Sequence, residues 1–530
     1  MKNTLKARIE SILGCDLKAK LEQPKDKNLA HYAMPVFVLA KELKKAPPQI
    51  ATEIAEKLNS SANDDFSAEA VGGYVNFKLN AGFLNDFATK ALKNPADFAK
   101  IKQEKPEKFY IEYISANPTG PLHIGHVRGA VYGDALARVA KHLGHEVRTE
   151  YYINDAGNQI DLLGLSMALR AKELVGEPVS YPEKYYRGEY IDGLIPVIKE
   201  RYGEQIFSDE AHLAQIAKDE VLKIIKKDLA DNNIFIEHWA SEKERYGELE
   251  ETIAQLAKSE QMYKKDGKTF IASTKCGDDE DRVVVREDGR PTYLAGDIIY
   301  HRYKFEQGFD HYINIWGADH HGYIARLKAA IHFLGYDESK IEVILMQMVN
   351  LLKDAKPFKI SKRNGTAILM SDIAAQIGSD ALRYIFISKS ANTPLEFDID
   401  ELKKTDSSNP VFYINYAHAR VHQVRAKSSL NGESIANADF SALSPEGLNL
   451  AFNALNLNST LEAALGKREM HKICEYLRNL AGDFHKFYNE NKVLGSEHES
   501  TLLKLFELCA LSIRTALGLL GIKAADVMGE

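Results

Sequence analysis

The sequence predicts an α/β protein: a doubly wound nucleotide-binding domain, interrupted by a helical insertion, between a small α+β N-terminal domain and an all-α C-terminal helical bundle. Three observations predict it. First, Phe109, Ile111 and Tyr113 alternate with Tyr110, Glu112 and Ile114 as in a strand. The run ends in Ser115-Ala116-Asn117-Pro118-Thr119-Gly120-Pro121-Leu122, a loop stiffened by Asn-Pro and Gly-Pro. Second, His123-Ile124-Gly125-His126 opens a segment in which Val127, Ala130, Val131, Ala135, Val139 and Leu143 keep helical spacing up to Gly144, a C-terminal cap. Third, a strand through Val147, Tyr151 and Ile153 completes strand, loop, helix and strand, half of a nucleotide-binding fold.

The remaining elements follow in chain order. Residues 1–100 read as a separate domain: amphipathic helices at 36–43 and 50–58 flank Pro47-Pro48, and a strand at 74–79 follows Gly72-Gly73. The lysine-rich stretch 100–108 reads as linker. The nucleotide-binding domain spans 101–375, with a charged, mostly helical insertion at about 155–265. An apolar, strand-like run over 341–352 leads into Lys359-Ile360-Ser361-Lys362-Arg363-Asn364-Gly365. Over 376–530 helical periodicity dominates, as in Leu502-Leu503, Leu505-Phe506, Leu508-Cys509 and Leu511, and predicts a bundle.

The two histidines stand where a helix offers free N–H groups and its positive dipole end, a setting that holds phosphate. Imidazoles at His123 and His126, with Gly125 admitting close backbone approach, suit an ATP polyphosphate and charge building on an attacked α-phosphorus. Pro118 and Gly120 belong to the same ATP-facing loop. Downstream, Lys353, Lys356, Lys359, Lys362 and Arg363 crowd positive charge between strand and Gly365. Ammonium groups on such a loop can close on a departing pyrophosphate as its charge builds. Alone, the basic run is as readily a solvated surface or nucleic-acid patch. Paired with the histidine motif, it reads as a pyrophosphate clamp.

Together the motifs resemble the HIGH and KMSKS signatures of class I aminoacyl-tRNA synthetases. The second reads Lys-Ile-Ser-Lys-Arg over 359–363, departing at its second and fifth positions and keeping both lysines. Within that class the chain resembles the arginyl-tRNA synthetases through 112–126, Tyr293-Leu294-Ala295-Gly296-Asp297, Trp316-Gly317-Ala318-Asp319-His320-His321-Gly322, Asp380-Ala381-Leu382-Arg383, and the stretch from Asn409 to Arg420. The resemblance covers nearly the whole chain, weakest in the insertion and over about 430–480. It implies a Rossmann-type catalytic domain, an N-terminal domain touching the outer corner of the tRNA, and a C-terminal anticodon-binding domain. It also implies ATP with Mg²⁺, L-arginine and arginine tRNA as partners, and a monomer as the usual state. On the helix near Ala417, His418, His422 and Arg425 share a face suited to tRNA phosphates and bases, and Arg363 joins them as a tRNA-binding candidate.

For an arginine substrate, the planar, permanently charged guanidinium calls for carboxylates set for bidentate contact. Glu112 and Asp297 are the candidates. Tyr293 could pack on the guanidinium face, and Asn117 is placed for the α-amino or carboxylate group. The resemblance assigns Asp297 and Tyr293 to the side-chain site, with Glu112, Ser115 and Asn117 nearby; Glu242 is a further acid the pocket could use. In the implied reaction the arginine carboxylate attacks ATP, His123 and His126 bind the triphosphate, and Lys359, Ser361 and Lys362 attend the leaving pyrophosphate. Gln347-Met348-Val349 lines the adenine pocket, and Asp319 and His320 join the ATP site, with Asp319 on either the ribose or a histidine. The terminal ribose hydroxyl of the tRNA, the 2′ by class, then attacks the adenylate. The family also implies that tRNA binds before arginine is activated.

Composition is compatible with this reading without selecting it. A chain of 530 residues exceeds one core, and 45% hydrophobic with 27% charged residues is ordinary for a globular protein. Cys15, Cys276, Cys474 and Cys509 lack paired spacing, which argues against zinc or a disulfide framework and fits a reducing cytoplasm. Arg8 and Glu10 fall where a leader needs apolar residues, and no membrane span is expected. A net charge of −7 means that a tRNA reader must rely on local basic patches and shape. Two alternatives stay open. One is a class I synthetase for cysteine, against which the scattered thiols speak, or for glutamate, against which the acids at 112 and 297 speak. The other is a non-catalytic tRNA-binding protein, which would have no use for a pyrophosphate clamp.

Overall fold

Five parallel strands form the central sheet, in the spatial order Ile341–Met346, His311–Gly317, Lys108–Tyr113, Glu146–Ile153 and His238–Ser241. The chain winds outward in both directions from Lys108–Tyr113. The order therefore reverses between that strand and His311–Gly317, whose carboxyl ends border the crevice where such folds bind ligands. The computed structural model describes residues 1–24, 29–353, 356–357 and 368–528. Both faces of the Lys108–Tyr113 strand are covered, so Phe109, Tyr110, Ile111, Glu112 and Tyr113 are all buried. This continuous burial is the mark of a parallel sheet with helices on both sides. The helix Ile124–His142 lies against this strand and its neighbours Glu146–Ile153 and His311–Gly317.

A helical excursion, Asn158–Leu174, Glu189–Tyr202 and Glu210–Asp231, separates the second and third sheet strands. His238–Ser241 returns to the sheet edge, so a sheet strand sits inside the stretch expected as insertion. Beyond it, Met262–Lys265, Lys268–Ile271 and Arg282–Val285 form a small antiparallel sheet that the sequence did not announce. Its first strand is solvent-facing and lysine-bearing, with no apolar alternation to read. The run over 341–352, expected as one strand, divides at Gln347-Met348. Ile341–Met346 stays in the parallel sheet, while Val349–Lys353 pairs with Leu395–Asp398.

In the N-terminal domain, Tyr74–Leu79 is the middle strand of a three-stranded antiparallel sheet between Tyr32–Pro35 and Phe66–Val71, packed by helix Pro47–Asn59. The helix expected over 36–43 is only a 3₁₀ turn, Phe37–Leu39, and one α turn, Ala40–Leu43. Lys44 at φ 51° stops it before Pro47 opens the next helix. The C-terminal helices Pro410–Lys427, Pro445–Leu455, Leu457–Lys467, His471–Glu490 and Glu499–Leu519 bury Leu503, Leu505, Phe506, Leu508 and Cys509 between them. The N-terminal domain docks on this bundle. Tyr32 donates to Asn456 Oδ1 at 3.0 Å, and buried Lys504 donates to Asn85 Oδ1, Thr89 Oγ1 and Ala438 O at 2.6, 2.7 and 2.6 Å. No described helix is long and apolar enough to cross a membrane.

Candidate active site

The strand Lys108–Tyr113 ends in strained backbone. Ile114 and Ser115 both take positive φ, 74° and 41°, which is costly for a non-glycine residue and most of all for a β-branched one. The chain then crosses the carboxyl edge of the sheet and enters the helix Ile124–His142 through His123. His123 Nδ1 accepts the Gly125 N–H at 3.1 Å, and His126 Nδ1 accepts the His123 N–H at 3.3 Å, a reciprocal cap. With both Nδ1 atoms accepting, each neutral ring carries its proton on Nε2 and keeps that N–H as a donor. The rings stack with centroids 3.8 Å apart. Burial lowers both pKa values, and the neighbouring His123 adds to the effect at His126, which falls to about 3. At neutral pH the turn thus offers two uncharged donors at a helix N-terminus.

Two further segments converge on this turn. Ile124 N–H donates to Ile368 O and Met370 N–H to Leu122 O, each at 2.8 Å. The segment that follows the lysine motif is therefore held against the histidine turn, although Lys359, Ser361, Lys362 and Arg363 themselves lie outside the described residues. Arg128, one turn into the helix and buried, donates to Gln347 O at 2.9 Å and Ser390 O at 2.8 Å. This fixes the backbone beside Met348, a residue that is 72% exposed, and Val349. Pro118 is buried, and Tyr190 from the helical excursion donates to Thr119 O at 2.7 Å beside Gly120.

The acids separate into two kinds. Glu112 is taken up by the scaffold. Its carboxylate receives Lys304 Nζ at 2.8 Å and Ser115 Oγ at 2.9 Å; Lys304 also donates to Asn314 Oδ1, whose amide nitrogen meets His301 Nε2. Burial would raise its pKa, but the buried Lys304 ammonium holds it below the ordinary range. Ser115 also accepts the Tyr152 N–H at 3.1 Å. Glu242 and Asp297, in contrast, have no ionic partner among the described residues. Tyr323 donates to Asp297 Oδ2 and Tyr246 to Glu242 Oε1 at 3.2 Å, while Glu242 Oε2 is buried without a hydrogen bond. Burial, then the charge of Asp297, raises Glu242 to about 7; burial, then Glu112, raises Asp297 to about 6. A Cβ on Gly296 would stand 2.6 Å from Glu242 Oε1, so glycine is what lets the two acids approach. Tyr293, one helical turn before Asp297, is 57% exposed, and Asn117 is exposed at the rim.

Such a pair of desolvated carboxylates is unfavourable alone and suited to a buried cation. Sequence reasoning named Glu242 only as an additional acid, and missed Tyr246, Tyr323, Lys304, His301, Arg128 and Tyr190, none of which belongs to a spaced motif. Asp319 and His320 lie in the exposed 3₁₀ turn Ala318–Tyr323, just past the carboxyl end of the His311–Gly317 strand. In the bundle, the face expected to meet tRNA is partly covered. His418 is fully buried, with Nδ1 3.0 Å from Ala525 O, so the C-terminal tail keeps it from a phosphate. The helix Pro410–Lys427 has the expected spacing, but helical spacing carries no sign of the tail that fills the face. His422 remains 38% exposed beside Asp526, and Arg425 pairs with Glu507 at 3.0 Å. His418, His422 and Asp526 are the one described grouping with metal-ligand spacing, and the Nδ1 of His418 is already engaged by Ala525. The four cysteines are free thiols.

The strand order, the capped histidine turn over its carboxyl edge and the segment paired to it define a class I aminoacyl-tRNA synthetase catalytic domain. The family model described as "tRNA synthetases class I (R), catalytic domain" matches residues 88–420. The arginyl tRNA synthetase N terminal domain matches 1–79, and the DALR anticodon binding domain matches 414–528. The chain belongs to the arginyl-tRNA synthetase family. It is 62% identical over 533 residues to the arginine–tRNA ligase of Campylobacter fetus and 55% identical to that of Campylobacter jejuni, covering 100% of both chains in each case. Its fold matches Thermus thermophilus arginyl-tRNA synthetase with a TM-score of 0.77 at 21% identity over 100% of both chains.

Proposed function

We propose that the chain performs the family's two-step reaction with Glu242 and Asp297 as the guanidinium pocket and the histidine turn as the triphosphate site. The observation that carries this reading is the pair of carboxylates, raised to about 7 and 6, that have phenol partners but no cationic partner among the described residues. A guanidinium would satisfy the orphaned Glu242 Oε2 and return both acids to their charged forms. Tyr293 packs on the guanidinium face and Asn117 holds the α-substituents. Ser115 and Glu112 act beneath the pocket by holding the Tyr152 backbone and Lys304 in place.

ATP, with Mg²⁺ as part of that substrate, lies with its phosphates on His123 and His126, Gly120 and Pro118 below, and its adenine against Gln347, Met348 and Val349. Asp319 and His320 border the ribose. The arginine carboxylate attacks the α-phosphorus, the two Nε2–H donors stabilise the charge that develops, and Lys359, Ser361 and Lys362 close on the pyrophosphate. The 3′-terminal ribose of arginine tRNA then takes the arginyl group from AMP. Domains 1–100 and 376–530 hold the tRNA around the catalytic domain 101–375. His422 and Arg425 are retained in this role, and the exposed aromatic edge formed by Phe37 and Tyr74 supplies the N-terminal contact.

The test is arginine-dependent pyrophosphate exchange by Glu242→Gln and Asp297→Asn. Each should raise the arginine KM by about tenfold or more, the scale of a charged hydrogen bond, with the ATP KM unchanged. An unchanged arginine KM in both would overturn the pocket.

A further inference from the structure

The motif Asp380-Ala381-Leu382-Arg383 lies outside the site just described, yet it contains a fully buried cation with all three guanidinium nitrogens hydrogen-bonded. We propose that Arg383 is a positioning residue for arginine activation, holding the histidine helix in register with the C-terminal bundle. The proposal rests on the reading of that bundle as the tRNA-binding domain.

Arg383, on the helix Ser379–Ile387, has a side chain that is 0% exposed. Its Nη2 pairs with Asp134, on the helix that His123 caps. Its Nη1 donates to Asn232 O at 2.9 Å and Asn233 O at 3.1 Å, at the end of the helical excursion. Its Nε donates to Leu520 O at 2.6 Å, just past the last helix of the bundle and within the segment matching the anticodon-binding model. One guanidinium thus joins three separate stretches of chain, and its planar fork is what permits this.

The packing leaves no slack. Gly521 has φ 71°, and a Cβ there would stand 2.3 Å from Arg383 Cζ. Arg138 repeats the pattern, donating to Asp134 Oδ2 and Asn233 O at 2.7 Å each. Beyond Gly521 the tail continues onto the bundle: Ala525 N–H donates to Asn415 Oδ1 at 2.8 Å and its carbonyl meets His418, both on the helix Pro410–Lys427. A shift of that helix displaces the tail. Because the buried donors of Arg383 are shared between tail and Asp134, the displacement reaches the helix that carries His123 and His126.

The experiment compares pyrophosphate exchange supported by full-length arginine tRNA with that supported by a shortened tRNA lacking the anticodon arm. It is run for wild type, Arg383→Lys and the milder Asp134→Asn. In wild type the full-length tRNA should support faster exchange, by a factor in the range of about 5 to 150 typical of coupled sites. In both variants that advantage should collapse toward one, with the arginine KM and the Kd for full-length tRNA unchanged. Variants with a lowered Tm but the wild-type ratio would make Arg383 merely structural and overturn the proposal. A wild type with arginine-dependent exchange but no full-length advantage would also overturn it, leaving the site reading intact. A wild type without arginine-dependent exchange would overturn that reading and this inference with it.

Discussion

On the proposed reading, Glu242 and Asp297 set the pH behaviour of the arginine site. Both must be ionised to receive a guanidinium, and both are raised, to about 7 and about 6. Because kcat/KM reports the free enzyme, its value for arginine should fall as the pH is lowered through 7 and level off above it. The same groups stabilise the arginine-free fold while protonated. That contribution is fully present below their ordinary values of 4.5 and 3.8 and is lost as the pH rises through 7 and 6. Arginine should therefore raise Tm more in alkaline than in mildly acidic buffer, and a thermal-shift series reads both effects. A flat kcat/KM profile down to about pH 5 would remove the two acids from the site. At this scale the sequence was legible where spacing carries chemistry. The position of His123 and His126 at a helix N-terminus is legible from a strand-to-helix turn alone. Glu112 ranks above Glu242 on sequence; what distinguishes them in the fold is Lys304, 192 positions from Glu112 in the chain.

On the proposed reading, the helix Ile124–His142 is the element on which the chemistry depends. Its N-terminal donors, its two capping imidazoles and the Arg128 tie to Gln347 arise from one continuous stretch. Replacing His126 by Ala removes one preorganised donor and should slow arginine activation by roughly 10²- to 10³-fold in a protein with unchanged far-ultraviolet circular dichroism. A near-wild-type single-turnover rate would show that the turn is not the triphosphate site. The helix and its flanking strands were readable because a 3.6-residue period meets a period of two across an Asn-Pro and Gly-Pro loop. The antiparallel strands within 262–285 were not, since their solvent-facing residues carry no period. The break at Gln347-Met348 was equally hidden, because an apolar run reads the same whether one sheet or two receives it.

At the scale of the whole molecule, the N-terminal domain is held to the bundle by a buried ammonium. Lys504 reaches Asn85, Thr89 and Ala438, and Lys504→Met should cost about 1–3 kcal/mol by leaving those acceptors unpaired. Differential scanning calorimetry would register this as a lowered Tm for the N-terminal domain, and an unchanged Tm would show that the interface does not need it. The sequence predicted the layers and the order of domains. It could not predict strand order or the course of the C-terminal tail over His418, which depend on pairings between distant segments.

The most direct test of the account is amino-acid-dependent exchange of labelled pyrophosphate into ATP, run with each of the twenty amino acids, with and without tRNA. The account predicts exchange with arginine alone, and only when tRNA is present. Exchange driven by a different amino acid would keep the fold and contradict the pocket formed by Glu242 and Asp297. No exchange from well-folded protein under either condition would contradict the catalytic reading altogether.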